Sequence, residues 1–456
     1  MRDRSLTLPL SLLLTAATFA GVAVRAWGPL ANPDTYFHLR IGDEVLSGRW
    51  SLSHPGHFSP TSTHGWVSTQ WLGQVAMAAA ERIAGLDGVA WLSALVAMSF
   101  LLALWWSARQ WAGAPIAAAL VVMGYLATPA FLTARPQVWS YLFVVVTVVA
   151  WLRTAEDGRA RWWLVPLTWA WSMLHGMWPV GLVLGMAAVA GLALDHGVRR
   201  MQLLAIPLAS LAVTLLTPMG PRLPRELMLV AHQREFFAEW ASPELASWQA
   251  LPALALLGAL VVGQYLHRTT WTVAALTVVA VLWLISAGRT QPVAVAIFVP
   301  LIARTWGPTL PQEAEHRRSD VRLVAGLAAV TLTILGVVLS VVPREQPDQV
   351  RDLDAVLQDV PAGSRVLSDW GWGGYLAWAR PDLEPTMHGY GDMFTHDELR
   401  RNHAVTRLDP GWRDTVAAHG AEMAVLERHD RLTAALLNDG WTKKATSGNW
   451  VLLTPP

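Results

Sequence analysis

Apolar positions in this chain come in long unbroken runs, separated by short polar loops rich in arginine. A run of about 18 or more apolar residues is the length of a bilayer-crossing helix. Read this way, the sequence predicts about eleven spans, at roughly 8–29, 88–107, 113–131, 136–152, 162–175, 177–194, 201–217, 251–266, 271–287, 291–304 and 322–342. The first run follows Arg2 and Arg4 like a signal peptide. It lacks a small-x-small cleavage site before Asn32 and many spans follow, so it reads as a retained anchor. With the N-terminus cytoplasmic, the short inner loops receive Arg109, Arg153, Arg159, Arg161, Arg199, Arg200, Arg268, Arg304, Arg317 and Arg318. That excess is what the positive-inside rule requires, and it leaves loops 31–87 and 218–250 and the C-terminal tail outside.

The first outer loop has a pattern of its own. Asp34 and His38 stand four apart, on one face if the segment is helical. Phe37, Ile41 and Val45 form a neighbouring apolar stripe, expected to rest on the membrane interface. After a turn-rich passage, Trp66 to Leu72 leads into a second amphipathic run through Val75, Ala79 and Ile83.

Beyond Pro343 the composition shifts to that of a soluble domain. A helix at 349–359, a strand at Arg365–Ser368, a Gly371–Gly374 turn with a short helix near Tyr375–Trp378, a strand at Glu422–Leu426 and a helix at Arg431–Leu437 are expected. Trp441–Lys444 and Trp450–Thr454 would close it as a hairpin. The fold class is therefore mainly α. Residues 1–342 are expected to form a polytopic helical membrane domain with a structured first outer loop (31–87), and residues 343–456 an extracytoplasmic α/β domain.

Composition agrees: 53% of residues are hydrophobic and 15% charged, and mean hydropathy is +0.35. A net charge of +1 gives no basic field for nucleic acid, and none is expected as a partner. The absence of cysteine excludes disulfides, thiolate zinc sites and a cysteine nucleophile. Many of the tryptophans fall near span ends, as an interfacial belt does.

Candidate chemistry sits on the outer side: Asp34, His38, Asp43, Glu44, Gln70, Arg135, His175, Arg234, Glu235, Glu239 and Arg289. Arg135-Pro136, His175-Gly176 and Arg289-Thr290 lie where spans meet loops. Arginine at such depth is costly unless it faces a cavity or a partner. A carboxylate and a set of arginines suit transfer from a lipid-phosphate donor to an acceptor hydroxyl, the acid taking the proton and the arginines the phosphate. Plainer roles are open for each residue. Asp34 suits an N-cap, His38 a packing position, and His175-Gly176 a tight turn. Arg135 and Arg289 can snorkel to headgroups, and Glu235 and Glu239 fit a solvated face. A divalent cation is an alternative only through Asp34, Asp43 and Glu44. The Gly371–Gly374 turn has neither the spacing nor the lysine of a nucleotide loop.

These residues carry a resemblance. Asp34-Thr35-Tyr36-Phe37-His38-Leu39, Phe58-Ser59-Pro60-Thr61 and Thr69-Gln70-Trp71-Leu72 resemble three elements of a group of bacterial membrane proteins in the C-type glycosyltransferase (GT-C) superfamily. So do His175-Gly176, Thr217-Pro218-Met219-Gly220 and Glu239-Trp240-Ala241-Ser242-Pro243, and in the tail Asp369 to Leu376 and Gly389-Tyr390-Gly391-Asp392. The resemblance implies a multi-pass glycosyltransferase of the inner (plasma) membrane, taking a polyprenyl-phosphate sugar within the membrane lipid. The acceptor would be a glycan, lipid or protein of the cell envelope. Asp34 and His38 would be catalytic, and Gln70, Arg135, His175, Glu239 and Arg289 would bind substrate. No metal is required, with the Asp34, Asp43 and Glu44 set the alternative. Gln70 departs from an expected glutamate and Tyr390 from an expected arginine. An amide hydrogen-bonds a sugar but takes no proton. The rival reading is a non-enzymatic transporter or assembly partner for envelope polysaccharide; few charges inside the spans and no internal repeat weigh against it.

Overall fold

The computed structural model describes residues 4–307 and 317–456. Arg2, and the side chains of Arg4 and Arg317, lie outside this description. The chain forms two compact units, each assembled from separate stretches: 1–27, 90–220 and 238–342 in the first, and 28–89, 221–237 and 343–456 in the second.

The first unit is helical. Among the described residues of the whole chain, six helices are long and apolar enough to cross a membrane: Thr7–Trp27, Trp71–Ala108, Gln137–Asp157, Pro179–His196, Val198–Leu216 and Arg318–Val341. Ala114–Ala127, Leu164–Leu174, Leu251–His267 and Trp271–Ser286 are apolar but shorter, so the expected eleven spans are not all of spanning length. The tenth expected span, 291–304, forms the helix Gln291–Trp306, with every side chain buried except Arg304 and Trp306. A helix apolar on all sides belongs in a core, and this one packs on Leu251–His267, Trp271–Ser286, Gln137–Asp157 and Ala114–Ala127. Outer helices instead expose rows such as Leu208, Leu211 and Leu215, or Val330, Ile334 and Val337, the surface that lipid solvates.

Two polar devices fix this packing. Asp195 accepts hydrogen bonds from the backbone N–H groups of Trp271 and Thr272 at 2.8 and 2.9 Å, capping the Trp271–Ser286 helix from its neighbour. Gly191 makes room for that approach, since a Cβ there would stand 2.4 Å from Thr272 Cα. Arg109 and Asp320 form an ion pair at 2.6 Å with side chains only 2% and 4% exposed.

The second unit is mixed. Its sheet has the order β2-β1-β3-β5-β4, with β1 Arg365–Ser368, β2 Glu384–Pro385, β3 Met423–Glu427, β4 Thr442–Ser447 and β5 Trp450–Thr454. β1 runs parallel to β2 and β3, while β5 is antiparallel to β3 and β4. Trp450 to Leu453 are buried at the centre and β4 is the solvated edge, which explains its polar sequence. The expected α/β elements of the tail are present, joined by two unforeseen helices, His396–Arg407 and Trp412–His419. The first of these opens on a capping box between Thr395 and Glu398.

The first outer loop belongs to this unit. Asp34–Leu46 is a helix, as anticipated, but Phe37 and Ile41 do not face a membrane interface. They are buried with Phe58, Trp66, Ala377, Tyr390 and Phe394 in an aromatic core. The second run does form a helix, Trp71–Ala108, interrupted by non-helical backbone at Ala84 and Gly85; Ile83 just before the break is 86% exposed. Gly42 lets the two helices touch, because a Cβ there would meet the Gln74 carbonyl oxygen at 2.1 Å.

Candidate active site

Pro33 takes the N-cap place of the Asp34–Leu46 helix, so Asp34 is its first helical residue rather than its cap. The Asn32 side chain accepts from the Asp34 N–H at 3.0 Å. The Asp34 carboxylate is half-buried beside the tail segment: a Cβ on Gly389 would sit 3.8 Å from its Oδ1. One turn on, His38 is only 3% exposed. Its Nδ1 accepts from Gln74 Nε2 at 3.1 Å.

Gln74 is the hub of a network that sequence reasoning missed. Its Oε1 accepts from Ser68 Oγ at 2.5 Å, and its Nε2 also reaches the Tyr390 hydroxyl at 3.5 Å. Gln70 hydrogen-bonds Tyr390 as well. The Tyr390 hydroxyl donates to Asp392 Oδ2 at 3.3 Å, and Thr69 Oγ1 to the same oxygen at 3.4 Å. Burial, helped by the charge of Glu226, pushes the Asp392 carboxyl up to about 6, against these two hydrogen bonds and the nearby His64. His64 in turn pairs with Glu226 at 3.1 Å. A second carboxylate, absent at Gln70, is thus present on the tail. Its signal in the sequence is Gly389-Tyr390-Gly391-Asp392, but the sequence does not say that this turn meets the first loop.

The Phe58-Ser59-Pro60-Thr61 element does fastening work. Ser59 and Thr61 hydroxyls both donate to the Thr386 carbonyl, at 3.1 and 2.6 Å, and Phe58 packs on His388. Asp43 and Glu44 are engaged by arginines: Arg49 and Arg82 each reach Asp43 at 2.6 Å, and Arg40 and Arg49 hold Glu44 at 2.6 and 2.5 Å. Among the described residues no group of three or more His, Asp or Glu stands ready to hold a metal ion. The cation alternative through Asp34, Asp43 and Glu44 finds no support in these pairings.

The helical unit holds the other candidates. Arg135 makes a bidentate pair with Glu239, and Arg289 reaches the same carboxylate at 3.4 Å. The Arg289 guanidinium lies 4.5 Å over the Trp240 ring. Two guanidiniums meet on one carboxylate; the Glu239 side chain is 41% exposed, and those of Arg135 and Arg289 are 10% and 16% exposed. Burial raises the Glu239 carboxyl, but the two arginines outweigh it and hold it below the usual range. Glu239 is therefore their counter-ion here, more than a free contact for substrate. His175 is buried, its Nδ1 bonded to Ser140 Oγ at 2.8 Å, and Ser140 accepts from Trp171 Nε1. Asp34, His38 and Gln70 thus fall in the mixed unit, and Arg135, His175, Glu239 and Arg289 in the helical one.

No family model and no curated protein matches this sequence. Among solved structures, the chain shares a fold with members of the GT-C superfamily. One is the apo oligosaccharyltransferase of Archaeoglobus fulgidus, with a TM-score of 0.58 at 10% identity over 93% of this chain and 70% of that one. Another is apo ArnT from Cupriavidus metallidurans, with a TM-score of 0.54 at 17% identity over 95% and 96% of the two chains. The chain therefore has a GT-C-like fold, with six helices among the described residues long and apolar enough to cross a membrane.

Proposed function

We propose that this protein is an integral membrane glycosyltransferase, moving a sugar from a polyprenyl-phosphate donor to an envelope acceptor on the outer membrane face. What carries the reading is the half-buried Asp34 at the head of the first outer loop, in a chain of GT-C-like fold. Asp34 would take the proton of the acceptor hydroxyl as that oxygen bonds to the anomeric carbon and the bond from carbon to phosphate oxygen breaks. The product would be inverted, with polyprenyl phosphate leaving. Arg135 and Arg289 have the chemistry to bind that phosphate, and Trp240 and Glu239 hold the Arg289 guanidinium in place. His38 and Gln70 offer hydrogen bonds to sugar or acceptor hydroxyls, as does His175 in the helical unit. The arginine-rich short loops support a cytoplasmic N-terminus and an extracytoplasmic tail.

Membranes carrying the protein should transfer label from a polyprenyl-phosphate sugar to an envelope product. Asp34→Asn should lower that rate by about 10²–10⁴-fold, the usual worth of a general base, while elution and thermal unfolding in detergent stay as in the parent. Undiminished turnover would remove Asp34 from the chemistry.

A further inference from the structure

The mixed unit contains a hydrogen-bond chain whose direction is set at one end. It runs from Asp392 Oδ2 to the Tyr390 hydroxyl (3.3 Å), on to Gln74 Nε2 (3.5 Å), and ends at His38 Nδ1 (3.1 Å). Tyr390, Gln74 and His38 are at most 3% exposed, so water does not readily substitute for a missing partner. We infer that Asp392 is a positioning residue: through Tyr390 and Gln74 it decides which nitrogen of His38 carries the proton.

Donor and acceptor capacities along the chain set this direction. An ionised Asp392 can only accept, so Tyr390 spends its single hydrogen on it. The phenol oxygen then has only acceptor capacity left, which Gln70 and Gln74 meet as donors; Gln74 turns its NH2 group toward it, with its carbonyl on Ser68. That same NH2 group faces His38, whose Nδ1 must then be bare, with the ring proton on Nε2. Protonation of Asp392 by solvent on Oδ2, the oxygen that Tyr390 faces, reverses these links. The new carboxyl O–H donates to the Tyr390 oxygen, Tyr390 donates onward, Gln74 turns its carbonyl, and His38 must present Nδ1–H. Ser68 follows either way, because a hydroxyl both donates and accepts. A proton added at Asp392 is thus answered by a tautomer change at His38, with no net charge moved between them.

The groups facing Asp392 are Glu226 from the Arg222–His232 helix, His64 and Thr69 from the first loop, and Tyr390 from its own turn. Burial and Glu226 place its ionisation near 6. The functional meaning rests on the transferase reading, in which His38 belongs to the site; the tautomer itself does not.

The test is histidine ring ¹⁵N NMR on the full-length protein in detergent, with the His38 signals assigned by their loss in His38→Gln. At about pH 8 Nδ1 should be bare and Nε2 protonated, and the two should exchange roles as pH falls through about 6. Tyr390→Phe keeps the ring and breaks the chain, so the exchange should vanish. Thr69→Val removes a bond that favours the ionised acid and should shift the midpoint upward. Nδ1–H at high pH, simple double protonation without exchange, or an exchange unchanged in Tyr390→Phe would each overturn the inference. Transfer assays separate it from the reading above. Absent transfer with the exchange intact defeats the transferase reading alone. Normal transfer, with Tyr390→Phe leaving both the ¹⁵N signals and the acid limb of the rate profile untouched, defeats the relay alone.

Discussion

The two units handle charge in opposite ways. In the helical unit, Arg135, Glu239 and Arg289 meet as ion pairs at a partly exposed cluster. In the mixed unit, a single acid, Asp392, is wrapped by neutral donors, Tyr390 and Thr69, and linked through amides to a buried histidine. Paired guanidiniums suit recognition of an anion, whereas a carboxyl lifted toward neutrality suits control of a proton. A transfer from a phosphate leaving group to a hydroxyl calls for both chemistries.

Charge in the helical unit is itself of two kinds, and the largest predicted effect separates them. Arg109 and Asp320 are sealed together, so Arg109→Ala strands a buried carboxylate. It should cost about 3–5 kcal/mol in detergent unfolding. Glu239→Gln, at a pair whose acid is 41% exposed, should cost less than Arg109→Ala does. Equal losses in the two variants would mean that both pairs are structural, and the contrast between sealed and open charge would disappear.

Next in size is the effect of Arg289→Ala. A charge-assisted hydrogen bond to phosphate is worth about 1.5–3 kcal/mol, so the KM for the polyprenyl-phosphate donor should rise about 10–100-fold with kcat less affected. Gln70→Ala, in the mixed unit, removes a neutral hydrogen bond and should raise KM by less, about 10-fold or below. A kcat loss without a KM change in Arg289→Ala would place that guanidinium on the reacting centre instead.

How far the sequence foretold this follows from what is local and what is not. Apolar runs located the helices because burial in lipid or core needs no partner to be written in the sequence. They could not distinguish a lipid-facing span from the central Gln291–Trp306, whose surroundings come from four other helices. In the tail, strands β1, β3 and β5 were legible from β-branched and apolar runs. His396–Arg407 was overlooked although Thr395 and Glu398 spell its capping box. The stripe of Phe37 and Ile41 was visible but its destination was not: amphipathicity says that a face is buried, not whether lipid or Tyr390 buries it. Asp34, His38 and Gln70 were found because the acid and base lie close in sequence. Asp392 and Gln74 escaped because their partnership spans more than 300 residues through Tyr390.

The smallest predicted effect concerns stability against pH, where groups of the mixed unit oppose one another. Asp392 has a folded pKa of about 6, above the value of 3.8 for a free aspartate. Folding therefore favours its protonated form. The stability this contributes is complete below about pH 4 and is lost as pH rises through about 6. His388, which burial lowers to about 3, and His419, which burial lowers to about 4, have the opposite sign: both must stay neutral to remain inside. Their contribution is present above about pH 6.5 and falls away as the medium is acidified. The parent protein should on balance be stabilised between about pH 5 and 7, with Asp392 subtracting about 1 kcal/mol from the gain. Asp392→Asn removes that subtraction alone, so its unfolding temperature should climb more steeply over the same interval. Parallel curves for the two proteins would show that Asp392 is already ionised at pH 5 in the folded chain. The carboxylate would then be no less open than Glu239, and the two units would differ in their partners but not in how they hold an acid.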